Sequence, residues 1–215
     1  MVKKKIIGIT QRIDKINSYN EYRDALDQRL INWIISLGFI AVPIPNSLVD
    51  TKLSENLQPH IKYWLNEIGI DAIILSGGND IGDFKKRDIT EKNLLFWAEK
   101  YMKPVLGICR GMQMLGLYAG EELIKIDGHV NTRHELEIKK EYKNLFPNVV
   151  NSYHNFSIKK CPKEYNVLAN SKDGYIEAIK HIKLPWEGWM WHPEREDIFN
   201  KLDKERFQNL LNNEK

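Results

Sequence analysis

The strongest constraint on the fold is an alternation. Through the first half of the chain, short uninterrupted apolar runs take turns with stretches of helical periodicity. The run KIIGIT at 5–10 reads as a buried strand, and YRDALDQRLINWIISLG at 22–38 as an amphipathic helix stopped by Gly38. Strand-type runs return at 39–45, 70–78 and 103–109, with helical patterns at 60–69 and 90–101 between them. Strands that are apolar throughout need cover on both faces, and strand–helix–strand connections bring successive strands in parallel. From about Glu121 the strand-type runs crowd together as EELIKI, RHELEIK, PNVVNSYH, YNVLANS, GYIEAIKH and WEGWMWH. The sequence therefore predicts an α/β fold: a mostly parallel sheet with helices on both faces and an antiparallel edge. A final helix is expected in REDIFNKLDKERFQNLLNN, 195–213.

With 215 residues, the chain is long enough to bury one sizeable core, so one domain over 1–215 is expected. A net charge of +3 is small against 32 basic and 29 acidic residues, and the basic run Lys3–Lys5 is too short for a nucleic-acid arm. No nucleic-acid partner is expected. Two cysteines, Cys109 and Cys161, cannot build a disulfide framework, and the acidic and histidine residues show no ligand spacing. Neither a metal nor an organic cofactor is expected. The apolar stretch of MVKKKIIGIT is too short for a signal peptide and no segment reads as a membrane span, which points to a cytoplasmic setting without membrane contact.

In open α/β sheets, ligands bind outside the carboxyl ends of the strands. Two glycine-bearing segments, SGGND at 76–80 and CRGMQ at 109–113, fall at such ends and are expected to be neighbours. A residue at a sharp strand-to-helix turn needs small residues two positions before and after it. Gly107-x-Cys109-x-Gly111 has that pattern, with sulfur where the nucleophile elbow of other hydrolases carries a hydroxyl. The helix N-terminus beyond it would favour thiolate. Read alone, the pentapeptide serves a nucleophile or a small buried core cysteine equally well. A nucleophile needs a base, and of six histidines His192 stands out: it follows the apolar run WEGWMW at another strand end. Pro193 holds it extended, and Glu194, two positions on, can orient its ring.

These segments together resemble the class I glutamine amidotransferase superfamily, a Cys-His-Glu relative of the flavodoxin-like fold, and within it the stand-alone γ-glutamyl hydrolase branch. The likeness rests on IGIT at 7–10, ILSGGNDIG at 74–82, Arg87-Asp88, GICRGMQ at 107–113, VNSYHNFSI at 150–158, DGYIEAI at 173–179 and GWMWHPE at 188–194. It implies that Cys109 attacks a γ-glutamyl carbonyl to form a thioester, that His192 moves the proton, and that Glu194 orients His192. The oxyanion donors it implies are the backbone N–H groups of Gly78 and Arg110, with Gly77 beside them. Gln113 resembles the glutamine that holds the glutamyl amino-acid end, and Ser152, Tyr153 and His154 match the far wall of that pocket. His154 serves there by contact or as a buried structural histidine. Two departures bear on substrate choice: Ser76 stands where the branch has proline, and Asn155-Phe156 where it has histidine and glutamine.

The implied partner is a small-molecule γ-glutamyl substrate, a nucleotide-linked γ-glutamyl amidate before others. The basic segment DFKKRD at 83–88 puts Lys85 and Arg87 just past the oxyanion glycines, where a pyrophosphate could be met. Arg87 has a second role open to it, pairing with a carboxylate early in the third helix. Tyr19, Tyr22, Tyr153 and Trp186 could stack on a base or pack. Alternatives are a γ-glutamyl-aminobutyrate substrate, or a glutaminase subunit feeding a synthase. The absence of a second domain in the chain favours a hydrolase acting alone. Cys161 reads as inert.

Overall fold

A computed structural model describes residues 4–53 and 57–212. The first half runs β1 (Ile6–Thr10), β2 (Arg12–Ile16), β3 (Glu21–Ala25), α1 (Gln28–Ser36), β4 (Ile40–Ile44), α2 (Pro59–Ile68), β5 (Ala72–Leu75), α3 (Lys85–Lys100), β6 (Val105–Ile108) and α4 (Arg110–Tyr118). The second half runs β7 (Leu123–Lys125), β8 (Val130–Ile138), β9 (Val149–Tyr153), β10 (Phe156–Ile158), β11 (Tyr165–Ser171), β12 (Ile176–His181), β13 (Trp186–Trp189) and α5 (Lys201–Asn212).

The main sheet has nine strands in the order β4-β1-β5-β6-β13-β12-β11-β8-β9. From β4 through β13 neighbours are parallel, and from β13 to β9 they are antiparallel. The expected antiparallel edge is thus a whole wing. Side chains of one strand alternate between two cores. In β5, Ala72 and Ile74 join α1 and α5 residues such as Trp33 and Phe207, while Ile73 and Leu75 join Leu65 of α2 and Leu94 of α3. That two-sided burial is why β5 and β6 are apolar at nearly every position. Among the described residues, no helix is long and apolar enough to cross a membrane.

Three element boundaries differ from the sequence reading. The expected helix 22–38 begins only after Asp27, whose carboxylate caps the Arg29 N–H. The stretch before it is β3, paired antiparallel with β2 in a hairpin whose tip places Asn20 at φ +48. The third helix starts at Lys85, not at 90; its first turn is charged and carries no apolar stripe for periodicity to detect. The last helix starts at Lys201; Pro193 begins a short 3-10 turn instead, and the expected end at 213 lies outside the described residues.

Candidate active site

The register of the sheet assembles the site. β5, β6 and β13 lie side by side in parallel, with Leu75 opposite Gly107 and Ile108 opposite Trp189. Each strand then releases its site residues at the same carboxyl edge: Gly77-Gly78 after β5, Cys109 after β6 and His192 after β13. The Cys109 N–H donates to the Trp189 carbonyl at 2.7 Å, which locks the turn to β13.

Cys109 sits at φ +53 and ψ −106, directly before α4. A Cβ on Gly107 would lie 2.6 Å from the Gly111 backbone, and one on Gly111 would lie 2.1 Å from the Leu75 carbonyl oxygen. Both glycines are therefore required by backbone packing around the turn. Gly77 is constrained by a side chain instead, since a Cβ there would reach 2.6 Å from Cε1 of His192.

His192 is buried, and its Nδ1 lies 2.7 Å from Oε1 of the buried Glu194. That contact leaves Nε2 for the sulfur. Burial alone would push the His192 pKa down, but the charges of Glu194 and Cys109 outweigh it and raise it to about 9. Asn151 fixes the backbone here: its amide donates to the His192 carbonyl at 2.8 Å and its oxygen accepts the His192 N–H at 3.0 Å. The sequence reading gave Asn151 no role, although it lies inside the motif VNSYHNFSI.

Arg87 does not face an open pocket. It is fully buried, and its guanidinium donates to the carbonyls of Ser76, Gly77 and Gly78 and to Glu91. Of the two roles open to it, phosphate contact and carboxylate pairing, the geometry assigns it the second. Arg110 joins the same network through Glu91 and, at 2.5 Å, Asp88. Turning three successive carbonyls inward toward Arg87 leaves the opposite side of the glycine loop to its N–H groups. Lys85 is exposed at the start of α3.

Gln113 is buried, and its amide donates to the Phe156 carbonyl at 3.0 Å. Ser152 donates to the His129 carbonyl at 2.7 Å. Tyr153 is partly exposed, sets its ring edge-on to His192 at 5.8 Å, and carries the Arg195 guanidinium 4.6 Å above its face. His154 is buried, with Nδ1 3.1 Å from the Phe156 carbonyl. Trp186, considered for base stacking, is buried at the far end of β13 and donates to the Lys103 carbonyl. Tyr19 and Tyr22 stay exposed on the β2–β3 hairpin, Tyr22 against Phe84. Burial raises the Cys161 pKa, and its sulfur contacts the Tyr165 carbonyl at 3.2 Å. Beside His192 a cleft opens between the glycine loop and the hairpin, lined by Arg12, Leu26, Asp27, Gly78, Glu194 and Arg195. Arg12 and Arg195 had no signal in the sequence beyond their charge.

A sheet of this order, with a positive-φ cysteine and a glycine loop at one carboxyl edge, defines the class I glutamine amidotransferase fold. The chain belongs to the Peptidase C26 family, which it matches over residues 5–194. It is 35% identical to the gamma-glutamyl-CDP-amidate hydrolase of Campylobacter jejuni, covering 91% of this chain and 93% of that protein. It is 32% identical to the glutamine-hydrolyzing GMP synthase subunit of Methanocaldococcus jannaschii, over 68% of this chain and 76% of that one. Among solved structures, a protein assigned as a GMP synthase subunit from Thermoplasma acidophilum superposes with a TM-score of 0.71 at 20% identity, covering 99% of this chain and 94% of that chain. Family membership makes the chain a hydrolase.

Proposed function

We propose that this chain is a cysteine-dependent hydrolase of γ-glutamyl amide bonds, working as a single cytoplasmic domain, with a nucleotide-linked γ-glutamyl amidate as its preferred substrate. The observation that carries the reading is that Cys109 follows β6 and His192 follows the paired strand β13, with Nδ1 of His192 2.7 Å from Glu194 and a glycine loop alongside. The 35% identity to a gamma-glutamyl-CDP-amidate hydrolase supports the choice of substrate.

In the reaction, Cys109 attacks the γ-carbonyl as thiolate while its proton resides on His192. Glu194 accepts the Nδ1–H, fixes the tautomer and stabilises the imidazolium. The tetrahedral oxyanion takes the N–H groups of Gly78 and Arg110. His192 then gives its proton to the leaving nitrogen, leaving a γ-glutamyl thioester. Water, deprotonated by His192, attacks the thioester and releases L-glutamate. Gln113, Ser152, Tyr153 and His154 are assigned to the wall of the glutamyl pocket, and Lys85 to a pyrophosphate on the leaving group.

The test compares kcat/KM for γ-glutamyl-CDP-amidate, γ-glutamyl-aminobutyrate and free glutamine, using the isolated chain. Fastest turnover of the nucleotide amidate is expected. A clear preference for aminobutyrate would replace the substrate. Slow turnover of all three, relieved by a synthase partner, would favour the ammonia-supplying role that the likeness to a GMP synthase component raises. Intact-mass analysis with a diazo-ketone glutamine analogue should place one adduct on Cys109, and an adduct on Cys161 would overturn the nucleophile.

A further inference from the structure

Away from Cys109, three histidines from different segments close around one carboxylate. Oε1 of Glu177, in β12, lies 3.4 Å from Nε2 of His134, 3.5 Å from Nε2 of His154 and 3.6 Å from Nδ1 of His129. Glu177 is 1% exposed on its side chain and His129 is 4%. None of these three nitrogens, and neither oxygen of Glu177, has a hydrogen-bond partner. Five buried polar atoms without partners in one place need an explanation, since each such atom costs free energy unless something satisfies it.

The outer nitrogens settle which way the rings point. Nε2 of His129 is 2.9 Å from the Asp173 carboxylate, and Nδ1 of His154 is 3.1 Å from the Phe156 carbonyl. Both partners accept, so those ring nitrogens carry the hydrogens. In a neutral imidazole the opposite nitrogen is then a bare lone pair. His129 and His154 thus aim lone pairs at a carboxylate oxygen, an arrangement that repels itself unless a cation stands between.

The distances suit a metal ion better than a proton. At 3.4–3.6 Å the contacts to Glu177 are too long for good hydrogen bonds. A tetrahedral ion with bonds of about 2.0–2.1 Å has ligand-to-ligand edges of roughly 3.3–3.4 Å. The donor atoms of His129, His134 and Glu177 all lie within 4.8 Å of one another, wider than such an edge, so binding an ion draws the outer donors inward. Asp173 behind His129 is the carboxylate–histidine support that metal-bound imidazoles commonly have.

We propose that His129, His134 and Glu177 bind a divalent transition-metal ion of the zinc class, with His154 set against the same Glu177 oxygen. Neutral nitrogens and one carboxylate are the ligands such ions prefer. The site joins β8, the segment after β9 and β12, and so clamps the chain that carries Ser152 and Tyr153. It is a structural site, closed by protein on nearly every side. It was missed in the sequence because His129-x4-His134 is a lone pair of ligand spacing, and Glu177 stands 48 and 43 positions after its two members.

The test uses the full chain with Cys109→Ser and Cys161→Ser, so that no thiolate competes, stripped with chelator and titrated with Zn²⁺ and with Co²⁺ at pH 7.5. One ion per chain is expected, with Co²⁺ visible bands of tetrahedral intensity, no sulfur-to-metal charge transfer, and a rise in Tm on zinc addition. His134→Ala, at the partly exposed mouth, should weaken binding by at least about a hundredfold, and Asp173→Asn by about 10–100-fold. Two results would overturn the site: no stoichiometric binding at micromolar zinc, or affinity unchanged in both variants. If Glu177→Gln fails to fold, the two milder variants still decide the matter.

Discussion

At the scale of single residues, the site is governed by what fits beside Cys109. Its backbone lies in a sparsely populated region, a conformation that costs on the order of 1–3 kcal/mol and persists only where the surroundings impose it. Gly111 is part of that imposition, because its missing Cβ lets α4 touch the Leu75 carbonyl. Gly111→Ala should therefore cost more than about 3 kcal/mol in urea unfolding, above an ordinary overpacking mutation, since backbone and not a side-chain tip must yield. Glu194 gives a pH prediction. It helps raise the His192 pKa to about 9, so the imidazolium proposed to protonate the leaving nitrogen survives up to that pH, and kcat/KM should fall only above it. Removing the charge in Glu194→Gln lowers the His192 pKa, and the alkaline limb of kcat/KM should move down by about 1–3 units. A limb that stays near 9 would show that Glu194 does not act on His192. These residues were legible because their chemistry is local: a Gly-x-Cys-x-Gly turn and a His-Pro-Glu string each carry their reason within five positions. Arg87 was only half legible, since a guanidinium reads alike whether it meets a phosphate or three carbonyls.

Among elements, α3 does the most for the site without touching it. Its Arg87 and Glu91 are one helical turn apart, and together they hold the glycine loop after β5 and the first residue of α4. One buried network thereby sets both of the proposed oxyanion donors. A lysine ammonium is a compact point donor without the guanidinium's planar spread, so it cannot serve the three carbonyls and Glu91 together. Arg87→Lys should lower kcat by up to about a hundredfold, with a smaller change in KM, because an oxyanion donor out of place costs on that scale. Equal loss in both Arg87→Lys and a surface control such as Lys100→Ala would argue against this. The early start of α3 escaped sequence reading because Lys85 to Asp88 are all charged: Arg87 and Asp88 serve a network, and none of the four is an apolar residue for a core. The hairpin β2–β3 escaped too, because its exposed alternating residues ran straight into the genuine helix pattern after Asp27, and helical spacing absorbed them.

For the whole molecule, the parallel half and the antiparallel wing meet at β6 and β13, and the site sits on that seam. Sequence periodicity told both halves apart, yet it could not show that β13, the last strand, inserts between β6 and β12, because pairing between distant strands leaves no periodic trace. The same seam makes stability depend on pH. Beneath it, Asp203 at the start of α5 is buried, accepts from the Trp191 indole, and has its pKa raised by burial, and further by Glu196 and Glu194, to about 7 from 3.8. A folded-state pKa above the unfolded one means that the folded chain binds the extra proton. The contribution is fully present below about pH 4 and is lost as the pH rises through 7. The raised pKa of His192 acts with the same sign at higher pH, from its ordinary 6.5 up to about 9. Wild-type stability should accordingly decline from pH 5 toward pH 9. Asp203→Asn keeps an oxygen for the Trp191 N–H and removes the charge that burial resists, so it should flatten the decline between pH 4 and 7. At pH 8 the variant should melt a few degrees above the wild type, a shift of the size that about 1–2 kcal/mol produces in a chain of this length. Thermal unfolding of both proteins at pH 5, 6.5 and 8 checks it: curves that run parallel across the three would mean that the Asp203 proton does not govern the slope.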